Sequence, residues 1–197
     1  MQRSILIIVS LALAVSLVLV LLFWQPQIGG HAAIPLRAVP QGGEFSLDSY
    51  QGEVSLEDFR GSVVFLYFGY TWCPDICPTN LSMISAVLDE MSESERVKVQ
   101  PIFVSVDPAR DTVQRLKEYV EYFHPRLLGL TGDAATIAEV AGRYGAAYQI
   151  HAEEGVDNYV VDHTADTYLI GVDGKLAKIF PHGTDSQVLL TAVRALL

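Results

Sequence analysis

The two cysteines of this chain, Cys73 and Cys77, stand four residues apart, and each is followed at once by proline. Thiolates are nucleophiles, redox partners and soft metal ligands, so the pair concentrates reactive chemistry in one short stretch. A residue before proline is pushed away from the right-handed helical region, which predicts that neither cysteine lies inside a regular helix. Pro78 suits the first position of a helix, where a missing N–H costs nothing, and this puts Cys77 near the N-cap. Both thiols then belong to a short loop on a helix N-terminus, where the helix dipole and free N–H groups favour thiolate over thiol. Dithiol redox motifs are spaced Cys-x-x-Cys, and here three residues intervene. A disulfide needs Cβ atoms about 3.5–4.5 Å apart, whereas two sulfurs converging on one metal tolerate a wider gap. The added residue leans towards metal and leaves redox chemistry open.

Two sulfurs do not complete a metal site. Soft sulfur donors select Cu(I), and an added imidazole also suits Cu(II). The chain has five histidines. His31 falls in an N-terminal tether, His124 precedes Pro125 at a helix end, His151 lies at a strand end and His182 follows Pro181 in a loop. Each of these four reads as a structural or surface histidine. His163 lies just ahead of a buried strand, and strand-end loops are where ligands are presented. Spacing alone leaves His163 undecided, because ninety residues separate it from the cysteines.

The elements that must position these side chains follow from the apolar pattern. Val63–Phe68 is a buried-type strand running into the cysteine loop, and a helix over about Thr79–Met91 leaves it. Before them, Glu44–Asp58 reads as a hairpin, with Phe45 and Leu47 alternating with polar residues, a turn at Gln51-Gly52, and Val54 and Leu56 returning. Lys98–Val106 is a second buried strand, leading to the loop Asp107-Pro108-Ala109-Arg110. Asp111 with Gln114 three residues on predicts a capping box opening a helix to about Tyr122, so this loop reads as structural rather than as a site. A short strand at Leu127–Leu130 and a helix at Asp133–Gly142 come next. Tyr144–His151 is expected to pair with Asn158–Val161 through the link Ala152–Asp157. Thr167–Val172 and Leu176–Phe180 form a hairpin around Asp173-Gly174, and a helix over Ser186–Leu197 closes the chain. Strands alternating with helices, then a hairpin and a helix, predict a mixed α/β sheet covered by helices.

The N-terminal block is different in kind. Ile5–Phe23 is interrupted only by Ser10 and Ser16, and at 1.5 Å per residue it spans roughly 28 Å, close to a bilayer core. Arg3 precedes it and Trp24 ends it, which puts the N-terminus in the cytoplasm and the domain outside. A cleaved signal peptide, with Gly30-His31-Ala32 as cleavage site, is the alternative, but the apolar block exceeds an ordinary h-region. The expected organisation is an anchor over 1–25, a proline- and glycine-containing linker over 26–43 and one domain over 44–197. A formal net charge of −10 argues against nucleic acid as a partner. Two cysteines are too few for a disulfide scaffold. Phosphate loops, Gly-x-Ser-x-Gly elbows and His-Glu-x-x-His motifs do not occur.

Phe68-Gly69-Tyr70-Thr71-Trp72-Cys73-Pro74-Asp75-Ile76-Cys77-Pro78 resembles the metal loop of the Sco/SenC family of thioredoxin-like copper chaperones. Residues 104–112 (Val-Ser-Val-Asp-Pro-Ala-Arg-Asp-Thr), 129–132 and 161–164 (Val-Asp-His-Thr) resemble three further stretches of that family, in order. The similarity runs from about Phe45 to Leu197. It implies a thioredoxin-like sheet with an N-terminal hairpin and a single N-terminal transmembrane helix. It also implies one copper ion held by Cys73, Cys77 and His163. The family serves the dinuclear copper centre in subunit II of cytochrome c oxidase, so the resemblance implies a metallochaperone of the inner (cytoplasmic) membrane, its domain extracytoplasmic. Implied partners are that subunit and other copper chaperones. Trp72 stands where many members have histidine, Thr164 where serine is common and Val113 where proline is frequent; none removes a ligand. The principal alternative is a thiol–disulfide oxidoreductase using Cys73 and Cys77, with His163 as base, that reduces client cysteines before metallation. A peroxidase is a third reading, for which only the cysteines speak. A purely structural disulfide is disfavoured by proline-flanked cysteines at a helix start. Asp75 reads as a turn residue, while Asp162, beside His163, is open between turn chemistry and orientation of a ligand.

Overall fold

The computed structural model describes residues 40–151 and 159–197, together with Ser16 and Leu19. The chain divides after Arg37, and the fold below belongs to the second unit, residues 38–197. The expected N-terminal span lies outside the described residues except for Ser16 and Leu19, which are helical. Among the described residues no helix is long and apolar enough to cross a membrane. The link expected over Ala152–Asp157 also lies outside them.

Strands β1 (Ser46–Ser49) and β2 (Gly52–Ser55) form the expected antiparallel hairpin. The return strand stops at Ser55, because its hydroxyl and Asp58 make a capping box that starts a 3-10 turn at Leu56–Phe59. Then come β3 (Val63–Gly69), α1 (Ile76–Asp89), a single helical turn α2 (Glu93–Arg96), β4 (Val99–Ser105), α3 (Val113–Phe123), β5 (Leu128–Leu130) and α4 (Ala134–Tyr144). The chain ends with β6 (Tyr148–Ile150), β7 (Val161–His163), β8 (Thr167–Ile170), β9 (Leu176–Phe180) and α5 (Ser186–Arg194).

The central sheet has the order β5-β4-β3-β8-β9. β3 pairs parallel with β4 and antiparallel with β8, so it is flanked on both sides. Every residue of β3 is buried, which is why its sequence is a continuous apolar run rather than an alternation. Its side chains nevertheless divide by the period of two. Val64, Leu66 and Phe68 enter one core with Ile102, Ile137, Val140 and Tyr144, beneath α4 and the β1–β2 hairpin. Val63, Phe65 and Tyr67 enter the opposite core with Leu81, Ile84, Leu116 and Leu189, beneath α1, α3 and α5. The result is a mixed sheet with helices on both faces, as the alternation of elements predicts. β6 and β7 form a separate antiparallel pair in which Tyr148 lies opposite His163. The residues just before β1 are tied down: the N–H groups of Gln41 and Gly42 both donate to the Arg143 carbonyl at the end of α4.

Two local expectations are corrected. Helix α1 begins at Ile76, not Thr79, with Asp75 in the N-cap position, so Cys77 lies inside the first turn and Pro78 is its third residue. The first turn of a helix has no intrahelical acceptor for its N–H groups, so proline is tolerated throughout it, and the restraint on Cys77 is overridden. Helix α3 is capped by Thr112, whose hydroxyl accepts from Arg115 N–H, and not by Asp111 with Gln114. Asp111 is fully buried and bonded elsewhere.

Candidate metal centre

β3 carries the chain outward from the middle of the sheet, and the cysteine loop begins where it ends. Gly69 closes the strand because the space beside it is taken: a Cβ there would lie 2.5 Å from Cys77 Sγ and 2.9 Å from the Phe103 ring. Thr71 is held by Asp111, which accepts from the Thr71 N–H at 2.9 Å and from its hydroxyl at 2.6 Å. Cys73 follows, half-buried; Cys77, on the first turn of α1, is fully buried. The Cys77 N–H donates to Cys73 Sγ at 3.5 Å, an orphan helix-end donor satisfied by sulfur.

His163 reaches the same place from β7. The Thr164 N–H donates to the Ala147 carbonyl at 2.8 Å and fixes the end of that strand. His163 Nδ1 lies 3.1 Å from the Thr164 carbonyl, which can only accept, so the ring proton sits on Nδ1 and Nε2 presents a lone pair. Nε2 lies 3.3 Å from Cys77 Sγ. The Tyr67 and Tyr70 rings meet the imidazole edge-on, with centroids 6.2 and 5.7 Å away. One ligand atom from each of Cys73, Cys77 and His163 falls within 4.8 Å of the other two, the one such cluster of metal-binding groups among the described residues.

The two thiols are inequivalent. Hydrogen bonding from Cys77, opposed by burial, holds Cys73 down to about 3. The same contact together with burial pushes Cys77 far up. The pair thus shares one proton, resident on Cys77. Burial, and then the nearby sulfur charge, pushes the Tyr67 phenol up as well, so it remains a neutral donor to Cys77 Sγ at 3.8 Å. An ionised sulfur, a second sulfur that releases its proton on metal binding and a neutral imidazole form a soft set that suits copper in either oxidation state.

Of the other histidines, His31 lies outside the described residues, and the remaining three lie outside the cluster. His124 is buried and its Nδ1 accepts from the Arg126 N–H. His151 Nε2 lies 2.8 Å from an Asp162 carboxylate oxygen. Asp162 therefore engages His151 on the face of β7 opposite His163 and does not orient the ligand. His182 Nδ1 lies 3.2 Å from Asn80 Oδ1. The Asp75 side chain makes no capping bond. Trp72 is exposed, with the Arg115 guanidinium 4.8 Å from its ring centroid.

Two supporting residues were not apparent from sequence. Asn80, buried on α1 three residues after Cys77, donates to the Ala165 carbonyl at 3.3 Å and so ties α1 to the segment following His163. Tyr67, inside the buried strand β3, is the donor to Cys77. A polar residue on the buried stripe of a helix was the available signal for Asn80; an aromatic inside an apolar strand offered none.

A two-faced mixed sheet whose strand-end loop and distant β7 bring two sulfurs and one imidazole together defines a thioredoxin-like domain with a soft-metal or dithiol site. The SCO1/SenC family model matches residues 35–197, and the chain belongs to this family. An SCO2-like protein of Rickettsia conorii is 37% identical over 182 residues, covering 90% of this chain and 88% of its own. The mitochondrial SCO2 homologue of Bos taurus is 42% identical over 164 residues, 82% of this chain and 61% of the bovine one. Among solved structures, Arabidopsis thaliana ScoI with copper bound superposes with a TM-score of 0.71 at 41% identity, covering 79% of this chain and 96% of that one. Bradyrhizobium japonicum ScoI with copper bound gives 0.71 at 38%, covering 79% and 99%.

Proposed function

We propose that the chain is a membrane-tethered copper metallochaperone that holds one copper ion on Cys73, Cys77 and His163. In this reading it helps assemble the dinuclear copper centre of cytochrome c oxidase subunit II, with residues 1–25 as a single-pass anchor in the inner membrane and the domain outside the cytoplasm. The observation that carries the reading is the convergence of Cys73, Cys77 and His163 ligand atoms within 4.8 Å. Relatives solved with copper bound support it. A three-donor pocket with a half-buried sulfur binds copper while leaving an approach for a client's ligands, which a cargo site needs and a closed structural site lacks. Reduced full chain in detergent, titrated with Cu(I) and then with Cu(II), is expected to take up one equivalent of either. His163→Ala should weaken Cu(II) by roughly tenfold or more and Cu(I) much less, because two thiolates already suit Cu(I). Equal Cu(II) affinity in wild type and variant would remove His163 from the site.

The inequivalence of the thiols favours a second reading, reduction of client disulfides. The Cys73 thiolate would attack a client disulfide and release one client thiolate. Cys77, giving up its proton, would then attack the mixed disulfide, leaving a dithiol client and a Cys73–Cys77 disulfide. Turnover of a disulfide substrate by metal-free protein, lost in Cys73→Ser, would establish it.

A further inference from the structure

The connection between β4 and α3 reaches both segments that bear ligands. Asp111 pins the cysteine loop through Thr71 and is braced by the Ser105 hydroxyl at 2.6 Å. Asp107, also fully buried, accepts the Tyr159 hydroxyl at 2.7 Å and pairs with Arg110 Nε. Tyr159 stands four residues before His163, at the approach to β7. Arg110 Nη1 donates to the Tyr159 carbonyl at 2.8 Å, and its guanidinium carbon lies 3.5 Å from the Tyr159 ring centroid. The same carbon lies 5.6 Å from the Tyr70 centroid and 5.7 Å from that of Trp72, both on the cysteine loop. One guanidinium is thus wedged between the segment carrying the sulfurs and the segment carrying the imidazole. Its side chain is only 11% exposed and that of Asp107 is 0% exposed. A pair so desolvated adds little stability over a well-packed apolar substitute, while removing one partner would leave the other's charge buried and unpaired.

We propose that Arg110, clamped by Asp107, is a positioning residue that sets the separation between the cysteine loop and His163 and thereby governs Cu(II) binding relative to Cu(I). The inference rests on the copper reading above. Cys73 and Cys77 share one local segment, so their mutual geometry is internal to the loop and the first turn of α1. The imidazole arrives from a strand nearly ninety residues away, and its place relative to the sulfurs depends on what joins the two segments. Cu(I) is satisfied by the two thiolates, whereas Cu(II) also needs the imidazole. Loosening the wedge therefore acts on one oxidation state selectively.

The test uses reduced full chain in detergent and compares wild type with Arg110→Lys, Arg110→Gln and Tyr159→Leu. Lysine keeps the charge but loses the planar fork and the stacking. Cu(I) affinity is read by competition with a chromogenic chelator, and Cu(II) by affinity, visible absorption and electron paramagnetic resonance. The expected result for Arg110→Lys is Cu(I) affinity within about threefold of wild type, Cu(II) affinity lowered about 10–100-fold and an altered Cu(II) hyperfine pattern. An unchanged Cu(II) spectrum and affinity in both Arg110 variants would overturn the proposal, as would equal loss of both oxidation states. Should neither Arg110 variant fold, Tyr159→Leu, which removes the ring stacked on the guanidinium, decides: a smaller shift of the same Cu(II) signature supports the wedge, and an unchanged signature refutes it. Failure of wild type to bind copper is a separate outcome that overturns the underlying reading and this one with it.

Discussion

At the scale of single residues, the pocket works by making two identical side chains different. Cys73, half-buried and accepting from Cys77, is held as thiolate well below the ordinary thiol range; Cys77, enclosed against Tyr67 and His163, is held as thiol. The sign is testable in metal-free protein. A group with a lowered pKa keeps its charged form as the pH falls, so Cys73 stays reactive between pH 5 and 8, whereas an ordinary thiol loses about tenfold in thiolate per pH unit. Alkylation followed by mass spectrometry should therefore label Cys73 at a nearly constant rate across that range and spare Cys77 until the fold is opened. A rate rising about tenfold per pH unit would show that Cys73 is a conventional thiol. The pH dependence of copper loading follows from the same asymmetry. Near neutral pH one proton, that of Cys77, should leave per Cu(I) bound, measurable in weakly buffered indicator solution.

At the scale of elements, the site is made where β3 hands over to α1. Gly69 shows how tight that junction is. A methyl group there would sit against Cys77 Sγ and the Phe103 ring, which are buried and cannot move aside freely. Gly69→Ala is expected to cost about 1–3 kcal/mol in chemical denaturation and to weaken copper binding by displacing Cys77. Gly142→Ala is the control: nothing lies within 4 Å of a Cβ there, and replacing a helical glycine should stabilise by about 0.5–1 kcal/mol. Much of this level was legible beforehand. β3 and β4 stand out as apolar runs of strand length, the β8–β9 hairpin is marked by Asp173-Gly174, and the two prolines point to the cysteine loop. Less legible was anything decided by distant contacts. The start of α1 was misplaced because local rules weigh the pre-proline restraint on Cys77, while the fold weighs burial of its sulfur. Asp111 looks like a helix cap in sequence and is instead the anchor of Thr71, forty residues away. His163 could be joined to the cysteines only through family resemblance, since no periodicity relates β7 to the loop after β3.

At the scale of the whole molecule, the proposed roles of tether and domain separate cleanly. All three proposed copper ligands belong to residues 38–197, so copper affinity should not depend on residues 1–25. What an anchor would supply is concentration: confining the domain near a membrane-embedded client converts a bimolecular encounter into a local one, without any new contact. A formal net charge of −10 disfavours attraction to an anionic bilayer, so a domain without residues 1–25 is not expected to be drawn there by its net charge. A chain in which residues 1–25 are replaced by a cleavable signal peptide should bind one copper ion with wild-type affinity. In cells lacking the native chain, at matched abundance, it should support less oxidase activity and leave less copper in the membrane fraction. Raising its expression should restore both, because the deficit is one of concentration and not of chemistry. Full activity at matched abundance would show that the client is found without a tether. A deficit that overexpression cannot repair would mean that the N-terminal segment makes a specific contact, and the role assigned to residues 1–25 would pass from anchoring to recognition.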